Sequence, residues 1–262
     1  MQKDFTLCTY TTLLERALET GYLFYTFQDY CEGKAQGKFI ILRHDVDKKA
    51  HNSLATARIE ATLGIRATYY FRVVKYKKTV SIIKQIAELG HEIGYHYDVF
   101  SLFKGNPEKS IEHFEKQLIY LRQFYPVKTI CMHGSPLSKW DNRDLWNFYN
   151  YRDFGIIGEP YIDLLIKPML DNIVYFTDTA RMWDGDKFNV RDKVSYQMSV
   201  NRLRPGVHST FDVIKWLKTN DNLSNIMITT HPQRWTDNKI DWMIELIFQS
   251  IKNIVKKFIV RK

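Results

Sequence analysis

The sequence contains little of what marks the more specialised classes of protein. Twelve glycines and seven prolines among 262 residues are too few for a low-complexity or collagen-like chain, and an apolar content of 45% is too high for a disordered one. The longest apolar runs have four residues, as at 39–42, whereas a membrane-spanning helix needs about 20 mostly apolar residues. One globular domain with a substantial core is therefore expected over residues 1–262.

Cysteine is scarce, and the N-terminus has no apolar leader. Cys8, Cys31 and Cys131 are far apart and form no C-x-x-C pair, which is typical of reduced thiols and not of a disulfide framework or a zinc ribbon. The first five residues lack the apolar segment of a secretory signal peptide. We therefore expect a cytoplasmic protein.

The chain is basic, with 38 Lys and Arg residues against 29 Asp and Glu residues and a formal charge of +9. This charge fits either an anionic partner or a solvated basic surface. Lysines are scattered except for a cluster at 252–262, and no zinc-finger or RNP-type pattern occurs. A nucleic-acid partner is therefore not expected.

Short apolar segments alternate with helix-period segments along most of the chain, as in an α/β domain. Strands are predicted at residues 39–42, 67–73, 92–97, 128–132, 154–157, 173–176 and 226–229. Helices are predicted near 10–20, 50–61, 82–90, 107–121, 210–217 and 237–258, with 1–37 as an N-terminal helical extension and 237–262 as a C-terminal helix. Strands joined by helical crossovers leave two main topologies, a closed barrel and an open doubly wound sheet.

Chemically capable side chains directly follow or end five of these predicted strands. They are Asp45 and Asp47, His96, His133, Asp178, and His231. The carboxyl ends of parallel strands form the edge at which α/β active sites are built, so we expect these side chains to lie close together. The carboxylates of Asp45 and Asp47 and the three imidazoles are sufficient for a divalent metal together with an acid and a base.

Each of these residues also has a purely structural interpretation. The first two aspartates could cap the helix that follows them, and His96 could be a hydrogen-bonded structural histidine. His133 could be a turn residue bonded to Ser135, and His231 could simply end its strand. The combination at one sheet edge favours the functional interpretation.

Four motifs between residues 39 and 235 resemble, in order, those of the polysaccharide deacetylase (NodB-like) superfamily, the fourth carbohydrate esterase family. Segment 43–47 (RHDVD) stands where that family has TFDDG, and segment 90–96 (GHEIGYH) is very similar to its GHEIGNH. Residues 183–184 (WD) are similar to its Asp/Trp motif, and 228–231 (ITTH) to its late Leu-x-His motif. The resemblance implies a distorted (β/α) barrel of about seven mostly parallel strands. It also implies a hydrolase that uses a metal to remove an N-acyl group from an amino sugar.

The sequence departs from the family pattern at three places. The family's two aspartates are adjacent, whereas Val46 separates Asp45 from Asp47. Phe100 stands where the family has its second metal histidine, and segment 133–136 (HGSP) replaces the family's RPPYG motif. A histidine gained at the third place suggests a rearranged site.

The resemblance and these replacements imply a role for each residue. Asp45 is expected to be the catalytic base, and His231 the acid that protonates the departing amine. A divalent metal, with zinc as the expected ion, is predicted to bind Asp47, His96 and His133, which leaves positions for water and the substrate carbonyl.

His133 is predicted as the third ligand because a metal held by two protein groups is one short of the number usual at catalytic zinc sites. Asp98 is the nearest alternative, but it shares a strand with His96 and would have to reach the same point from two residues away. The histidine ends a different strand, and Gly134 beside it leaves the backbone room to bend.

Substrate contacts are expected from residues that suit sugars, which favour aromatic platforms and polar forks. The residues predicted for this role are Ser135, Tyr161, Arg181, Trp183 and Trp235. A cytoplasmic location favours a precursor such as a nucleotide-linked or lipid-linked amino sugar, and the positive charge suits a diphosphate. Two alternatives stay open: an amidohydrolase of a non-sugar amide, and a catalytically silent glycan-binding or membrane-associated protein on the same barrel.

The C-terminal helix combines an apolar face with basic side chains. The apolar residues are Ile244, Ile247, Phe248, Ile251, Val255, Phe258 and Ile259, and the basic ones are Lys252, Lys256, Lys257, Arg261 and Lys262. One interpretation is peripheral contact with anionic lipid at the inner face of the membrane. The other is a helix that packs against the barrel and has a solvated basic end.

Overall fold

A computed structural model describes residues 3–72, 77–135, 138–166, 173–183, 206–220 and 225–259. Its centre is a sheet of seven strands, and every pairing between them is parallel. The strands are β1 (Leu23–Tyr25), β2 (Phe39–Val46), β3 (Thr68–Phe71), β4 (Glu92–Tyr97), β5 (Ile130–Met132), β6 (Ile173–Thr177) and β7 (Asn225–Thr230).

The strand order is β5-β4-β3-β2-β7-β6, with β1 paired to the first half of β2. The sheet curls into a half-barrel with helices packed around it. The distorted (β/α) barrel that the sequence predicts is therefore confirmed, and a flat doubly wound sheet is not what forms.

The helices lie mostly between consecutive strands, as crossover connections require, while the first precedes β1 and the last follows β7. They are α1 (Leu7–Glu19), α2 (Phe27–Cys31), α3 (Ala50–Thr62), α4 (Lys77–Glu88), α5 (Val99–Leu102), α6 (Pro107–Arg122), α7 (Thr210–Thr219) and α8 (Lys239–Ile259). Side-chain caps fix several of the helix starts. Asn106 accepts a hydrogen bond from the backbone N–H of Lys109 with Pro107 in the first turn, and Ser209 forms a capping box with Asp212.

Strand β2 lies at the centre of the sheet, and all eight of its residues are buried. It pairs with β1 and β3 along one side and with β7 along the other. Because side chains alternate along a strand, Arg43 and Asp45 lie on one face of the sheet and His44 on the other. The face with Arg43 and Asp45 is the one that carries the candidate site.

Two details of the sequence interpretation are wrong. Residues 154–157 do not form a strand: Tyr151–Phe154 is a 3₁₀ turn, and Gly155 follows it with a φ of 68°. Within the described residues, the β-pairing next to this segment is a single isolated parallel bridge between Thr129 and Gly158. The segment 1–37, expected to be helical, contains α1 and α2 but also contributes strand β1 to the sheet.

Helix α8 packs against the two short turns that follow β6 and β7, Thr179–Arg181 and Pro232–Arg234. Its predicted apolar side chains do not pack against the barrel, since residues 244, 247, 248, 251 and 255 are between 43% and 59% exposed. The packing interpretation of that face is therefore wrong for these residues. Among the described helices, none is long and apolar enough to cross a membrane.

Candidate metal and catalytic site

The strand ends bring the predicted metal ligands together at the carboxyl edge of the sheet. Asp47 follows β2, His96 lies near the end of β4, and His133 follows β5. The Nε2 atoms of His96 and His133 lie 3.5 Å and 3.4 Å from the same atom, Oδ1 of Asp47. The two imidazole rings stand almost perpendicular to each other, with centroids 5.2 Å apart. Three ligand atoms thus surround one small volume.

The hydrogen bonds of each imidazole leave its Nε2 directed at this volume. Nδ1 of His96 donates to the backbone oxygen of Cys131 at 3.0 Å, so the neutral ring carries its lone pair on Nε2. Nδ1 of His133 lies 3.1 Å from Oγ of Ser135. The turn hydrogen bond that offered a structural explanation for His133 therefore exists. The backbone N–H of Ser135 also lies 3.4 Å from this Nδ1, so Nε2 is open to a metal in the tautomer whose Nδ1 donates to Oγ of Ser135.

Oδ1 of Asp47 is buried and has no hydrogen-bond partner among the described residues. Burial opposes ionisation of this carboxyl, but the imidazole of His96 beside it holds its pKa well below the usual range. Burial lowers the pKa of His133 to about 4, so this imidazole is neutral, as a metal ligand must be. An orphaned carboxylate oxygen between two imidazoles fits a divalent cation.

A second group of ligand atoms shares His96 and is formed with Asp45 and Cys131. Because Nδ1 of His96 is already bonded to the backbone of Cys131, only Nε2 is free, and it faces Asp47. Of the two groups, the one that contains Asp47 is the better candidate for a cation. The expectation that Asp47, His96 and His133 are ligands stays a prediction.

Asp45 is held by an arginine from its own strand. Nη2 of Arg43 donates to Oδ2 of Asp45 at 3.1 Å and to the hydroxyl of Tyr161 at 2.8 Å, and Nε of Arg43 donates to Oγ1 of Thr229 at 2.7 Å. Oδ1 of Asp45 is buried and lacks a partner in the described part of the chain. The base predicted from the sequence thus has one oxygen fixed and one available.

Sequence reasoning missed Arg43, although its position two residues before Asp45 on an extended strand gives both side chains the same face. The helix-capping interpretation of the aspartates is not supported. The residue that precedes α3 is Lys49. Its backbone is in the left-handed region, and its side chain makes no capping hydrogen bond to the helix.

His231 is oriented by a buried carboxylate that sequence reasoning placed at a strand end but gave no role. Oδ1 of Asp178 accepts from Nδ1 of His231 at 2.6 Å, and Oδ2 accepts from the backbone N–H of the same histidine at 3.0 Å. Arg234 and Trp235 also donate to this carboxylate, at 2.6 Å and 2.9 Å. A carboxylate only accepts, so Nδ1 carries the proton and Nε2 of His231 is free for chemistry.

The rings expected to contact a sugar are not accessible. Trp183 and Trp235 are buried and contact each other with centroids 6.4 Å apart, and Trp235 also packs against Phe5 and Tyr10. These two predictions are wrong because the rings belong to the core. Tyr161 is buried as well and bonds Arg43, so it supports Asp45 and offers no platform.

Arg181 serves the attachment of α8, since its Nη1 donates to the backbone oxygen of Trp242 at 3.0 Å. Of the predicted substrate residues, only Ser135 lies beside the metal group, through its contact with His133. Asp184, the second residue of the WD motif, lies outside the described residues.

Three further positions behave as side chains of the scaffold. Phe100 is buried against Trp140 and Phe148, with ring centroids 6.1 Å away in each case. Asp98, the alternative ligand, is paired with Arg72. His91, expected to be structural, accepts from the backbone of residue 67 and bonds the carbonyl of residue 57.

No family profile and no curated protein matches the sequence. Among solved structures, a CE4 family pseudoenzyme from Bacillus anthracis aligns with 12% identity over 81% of this chain and 60% of its own, with a TM-score of 0.45. A Streptococcus mutans CE4 esterase aligns with 14% identity over 92% and 90%, with a TM-score of 0.48. Peptidoglycan deacetylase PdaC from Bacillus subtilis aligns with 10% identity over 85% and 97%, with a TM-score of 0.39.

This chain therefore spans about 60% of the length of the Bacillus anthracis protein. Identities and scores this low transfer neither an activity nor a residue's role. A function for this chain has to be supported by the geometry of its own site.

Proposed function

We propose that the protein is a metal-dependent hydrolase that removes an N-acyl group, such as acetyl, from an amino sugar. The observation that carries the proposal is the buried, unpartnered Oδ1 of Asp47, which faces the Nε2 atoms of His96 and His133 at 3.5 Å and 3.4 Å. One carboxylate and two imidazoles form a common ligand set at catalytic zinc sites, where a further position is left open.

Asp47, His96 and His133 would hold the cation, for which zinc is the expected ion. When bound, it supplies Lewis acidity that polarises the acyl carbonyl and lowers the pKa of the attacking water. His133 and Asp47 are each 20% exposed at the side chain, so substrate has access to this part of the edge.

Asp45 is the proposed general base. Its Oδ1 has no partner in the described structure, and its Oδ2 is fixed by Arg43 at 3.1 Å, so the free oxygen is held in one orientation. A proton taken from water is accepted at Oδ1, which neutralises the carboxylate, while Oδ2 stays bonded to the guanidinium.

His231 is the proposed general acid. Asp178 fixes its tautomer through Nδ1. His231 follows β7 and Asp47 follows β2, and these two strands are paired, so both residues lie at the same edge of the sheet. Once Nε2 is protonated, it delivers that proton to the amine nitrogen as the C–N bond breaks, and Asp178 stabilises the charged ring meanwhile.

The test combines metal analysis with an acyl-release assay on N-acetyl amino sugars linked to a nucleotide or to a lipid diphosphate. We expect zinc-loaded wild-type protein to release acetate. Asp45→Asn should keep its metal but lose turnover by about 10²–10⁴-fold, because the base is removed and the ligands are not. His133→Ala should lose metal, and His51→Ala, at an exposed histidine on α3, should behave like the wild type.

Full metal occupancy in a folded His133→Ala variant would contradict the ligand assignment. Metal-loaded wild-type protein that binds these sugars but releases no acyl group would favour the silent glycan-binding alternative. Release from simple amides but not from sugars would favour an amidohydrolase of another class.

A further inference from the structure

Helix α8 is attached to the rest of the protein by its polar side. Nε1 of Trp242 donates to the backbone oxygen of Asp4 at 2.7 Å, and Nδ2 of Asn253 donates to the backbone oxygen of Ala180 at 3.0 Å. Gln249, between them on the same stripe, is buried and donates to Asn253 at 2.8 Å. Residues 242, 249 and 253 recur at helical spacing, so they form a single inward stripe.

The opposite side of α8 is apolar and faces solvent. Eight large side chains on it are between 43% and 71% exposed. They are Ile240, Met243, Ile244, Ile247, Phe248, Ile251, Ile254 and Val255. Surface helices usually bury such a face, and soluble monomers seldom expose a contiguous apolar patch of this kind. We call these eight residues the apolar face of α8.

The charge of this segment of the sequence favours an anionic occupant. Residues 239–262 include six Lys and Arg residues but only two acidic ones, within a chain of net charge +9. One of the two, Asp241, is already paired with Lys49 at 2.9 Å. A helix with a broad exposed apolar face, in a segment whose sequence is basic, fits the interface of a bilayer that contains anionic lipid. A second copy of the chain would instead bring another basic segment.

We propose that the apolar face of α8 binds the surface of an anionic lipid bilayer. The helix would lie in the plane of the interface, with its side chains in the boundary between headgroups and acyl chains, while the polar stripe holds the barrel.

This binding would also place the catalytic edge at the membrane. Helix α8 packs on the turns Thr179–Arg181 and Pro232–Arg234, which directly follow Asp178 and His231. A site held at the bilayer surface suits a lipid-linked amino sugar better than a freely diffusing nucleotide-linked one. This statement about the substrate depends on the proposed function, whereas the binding of α8 to lipid does not.

The experiment is flotation of the full chain with phosphatidylcholine vesicles that contain or lack phosphatidylglycerol. We expect wild-type protein to bind the anionic vesicles, and to bind them less as salt is raised. The double variant Ile247→Asp/Phe248→Asp should bind at least about tenfold more weakly. The control variant Leu102→Asp/Ile119→Asp, at side chains on α5 and α6 that are each 56% exposed, introduces the same charge elsewhere and should bind as the wild type does.

Equal binding by wild type and double variant, or no binding by either, would overturn the proposal. A third outcome would assign the face to a second copy and also overturn the proposal. In that case the wild-type protein forms dimers without lipid and does not bind vesicles, and the double variant is monomeric.

Activity is then measured with and without anionic vesicles, on lipid-linked and on nucleotide-linked N-acetyl amino sugars. Faster release from the lipid-linked substrate on vesicles, lost in the double variant, supports the substrate class. Vesicle binding without release from either substrate leaves the lipid-binding face in place and refutes the proposed hydrolase. Equal release from the nucleotide-linked sugar with and without vesicles refutes the substrate class alone.

Discussion

The orientation of single side chains decides what the candidate site can do. Arg43 is completely buried, and its guanidinium is shared among Asp45, Tyr161 and Thr229. A planar group with several donors in fixed directions can satisfy three acceptors at once, whereas a lysine ammonium on a flexible stem cannot hold the same geometry. The position of Asp45 therefore depends on Arg43.

Arg43→Lys is expected to lower kcat by up to about 100-fold, because a displaced base no longer meets the water in the productive geometry. Metal content should be unchanged, since Asp47, His96 and His133 are untouched. The measurement is acyl release at saturating substrate together with elemental analysis, on protein whose fold is checked by circular dichroism.

Tyr161→Phe is the matched control for this change. It removes one acceptor of Arg43 and leaves the bond to Asp45, so the fall in kcat should be smaller than that of Arg43→Lys. An unchanged kcat in folded Arg43→Lys would show that Asp45 does not need this partner.

At the scale of elements, β4 can lie where it does because it contains Gly94. A Cβ added at this glycine would overlap the ring of Tyr70 on β3 and would lie 3.1 Å from the backbone oxygen of Thr129. The ring of Tyr70 is fully buried and its hydroxyl bonds Thr129 at 3.1 Å, so it has no free space to move into. The close approach at Gly94 therefore helps to set the position of β4, which carries His96.

Gly94→Ala is expected to lower the free energy of unfolding by about 1–3 kcal/mol, the usual cost of overpacking a core. Urea denaturation measures the loss. Tyr70→Leu removes the ring, so Gly94→Ala should cost less when made in a Tyr70→Leu background than in the wild type. The same cost in both backgrounds would mean that the tyrosine ring is not the obstacle.

The sequence predicts the parallel strands and their reactive ends well, because buried strands and strand-end Asp and His residues leave a clear local pattern. It cannot show partners that are distant in the chain: Asp178 meets His231 across 53 residues. It also does not show which way a ring faces, and Trp183 and Trp235 are suitable sugar platforms by type but lie in the core. The segment 154–157 is apolar without being a strand, since Phe154 packs against Phe114 of α6 and Ile156 is buried. Strand β1 has too few residues to give a periodic signal.

Across the whole molecule, unsatisfied polar atoms are concentrated at one edge. Within the described residues, six buried side-chain atoms lack a hydrogen-bond partner. They belong to Arg43, Asp45, Asp47, Arg181, Gln233 and Arg234. On the other face of the sheet, by contrast, Glu60 accepts from Tyr10, Tyr69 and His44 at 2.5–2.8 Å. Native proteins satisfy nearly all buried polar groups, so the unmet capacity of Asp45 and Asp47 is what a bound ion and its water would use.

One buried acid outside the site makes the stability of the whole molecule depend on pH. Glu159 is buried, and its carboxyl accepts from the backbone N–H groups of Met132 at 2.9 Å and Ile162 at 2.8 Å. It thereby ties the end of β5 to the π-helical turn Pro160–Ile166. Burial raises the pKa of this carboxyl to about 7, although these hydrogen bonds and two arginines oppose the shift.

Since the folded-state pKa is above the unfolded value, the protonated carboxyl contributes stability that is fully present below about pH 4.5 and is lost as the pH rises through about 7. Glu159→Gln stays neutral at every pH and escapes this loss. At pH 5 the variant should be less stable by about 1–3 kcal/mol, because its amide nitrogen cannot accept one of the two backbone N–H groups. By pH 8 this difference in the free energy of unfolding should shrink or reverse, changing by about 3 kcal/mol for a pKa shift of this size.

Urea unfolding in chelator at both pH values measures the gap in the free energy of unfolding between variant and wild type. Glu112→Gln, on the exposed side of α6, is the control whose gap stays small. A Glu159→Gln gap that is the same at pH 5 and pH 8 would mean that Glu159 is already ionised in the folded protein at pH 5, and the pH dependence would then have to come from other groups.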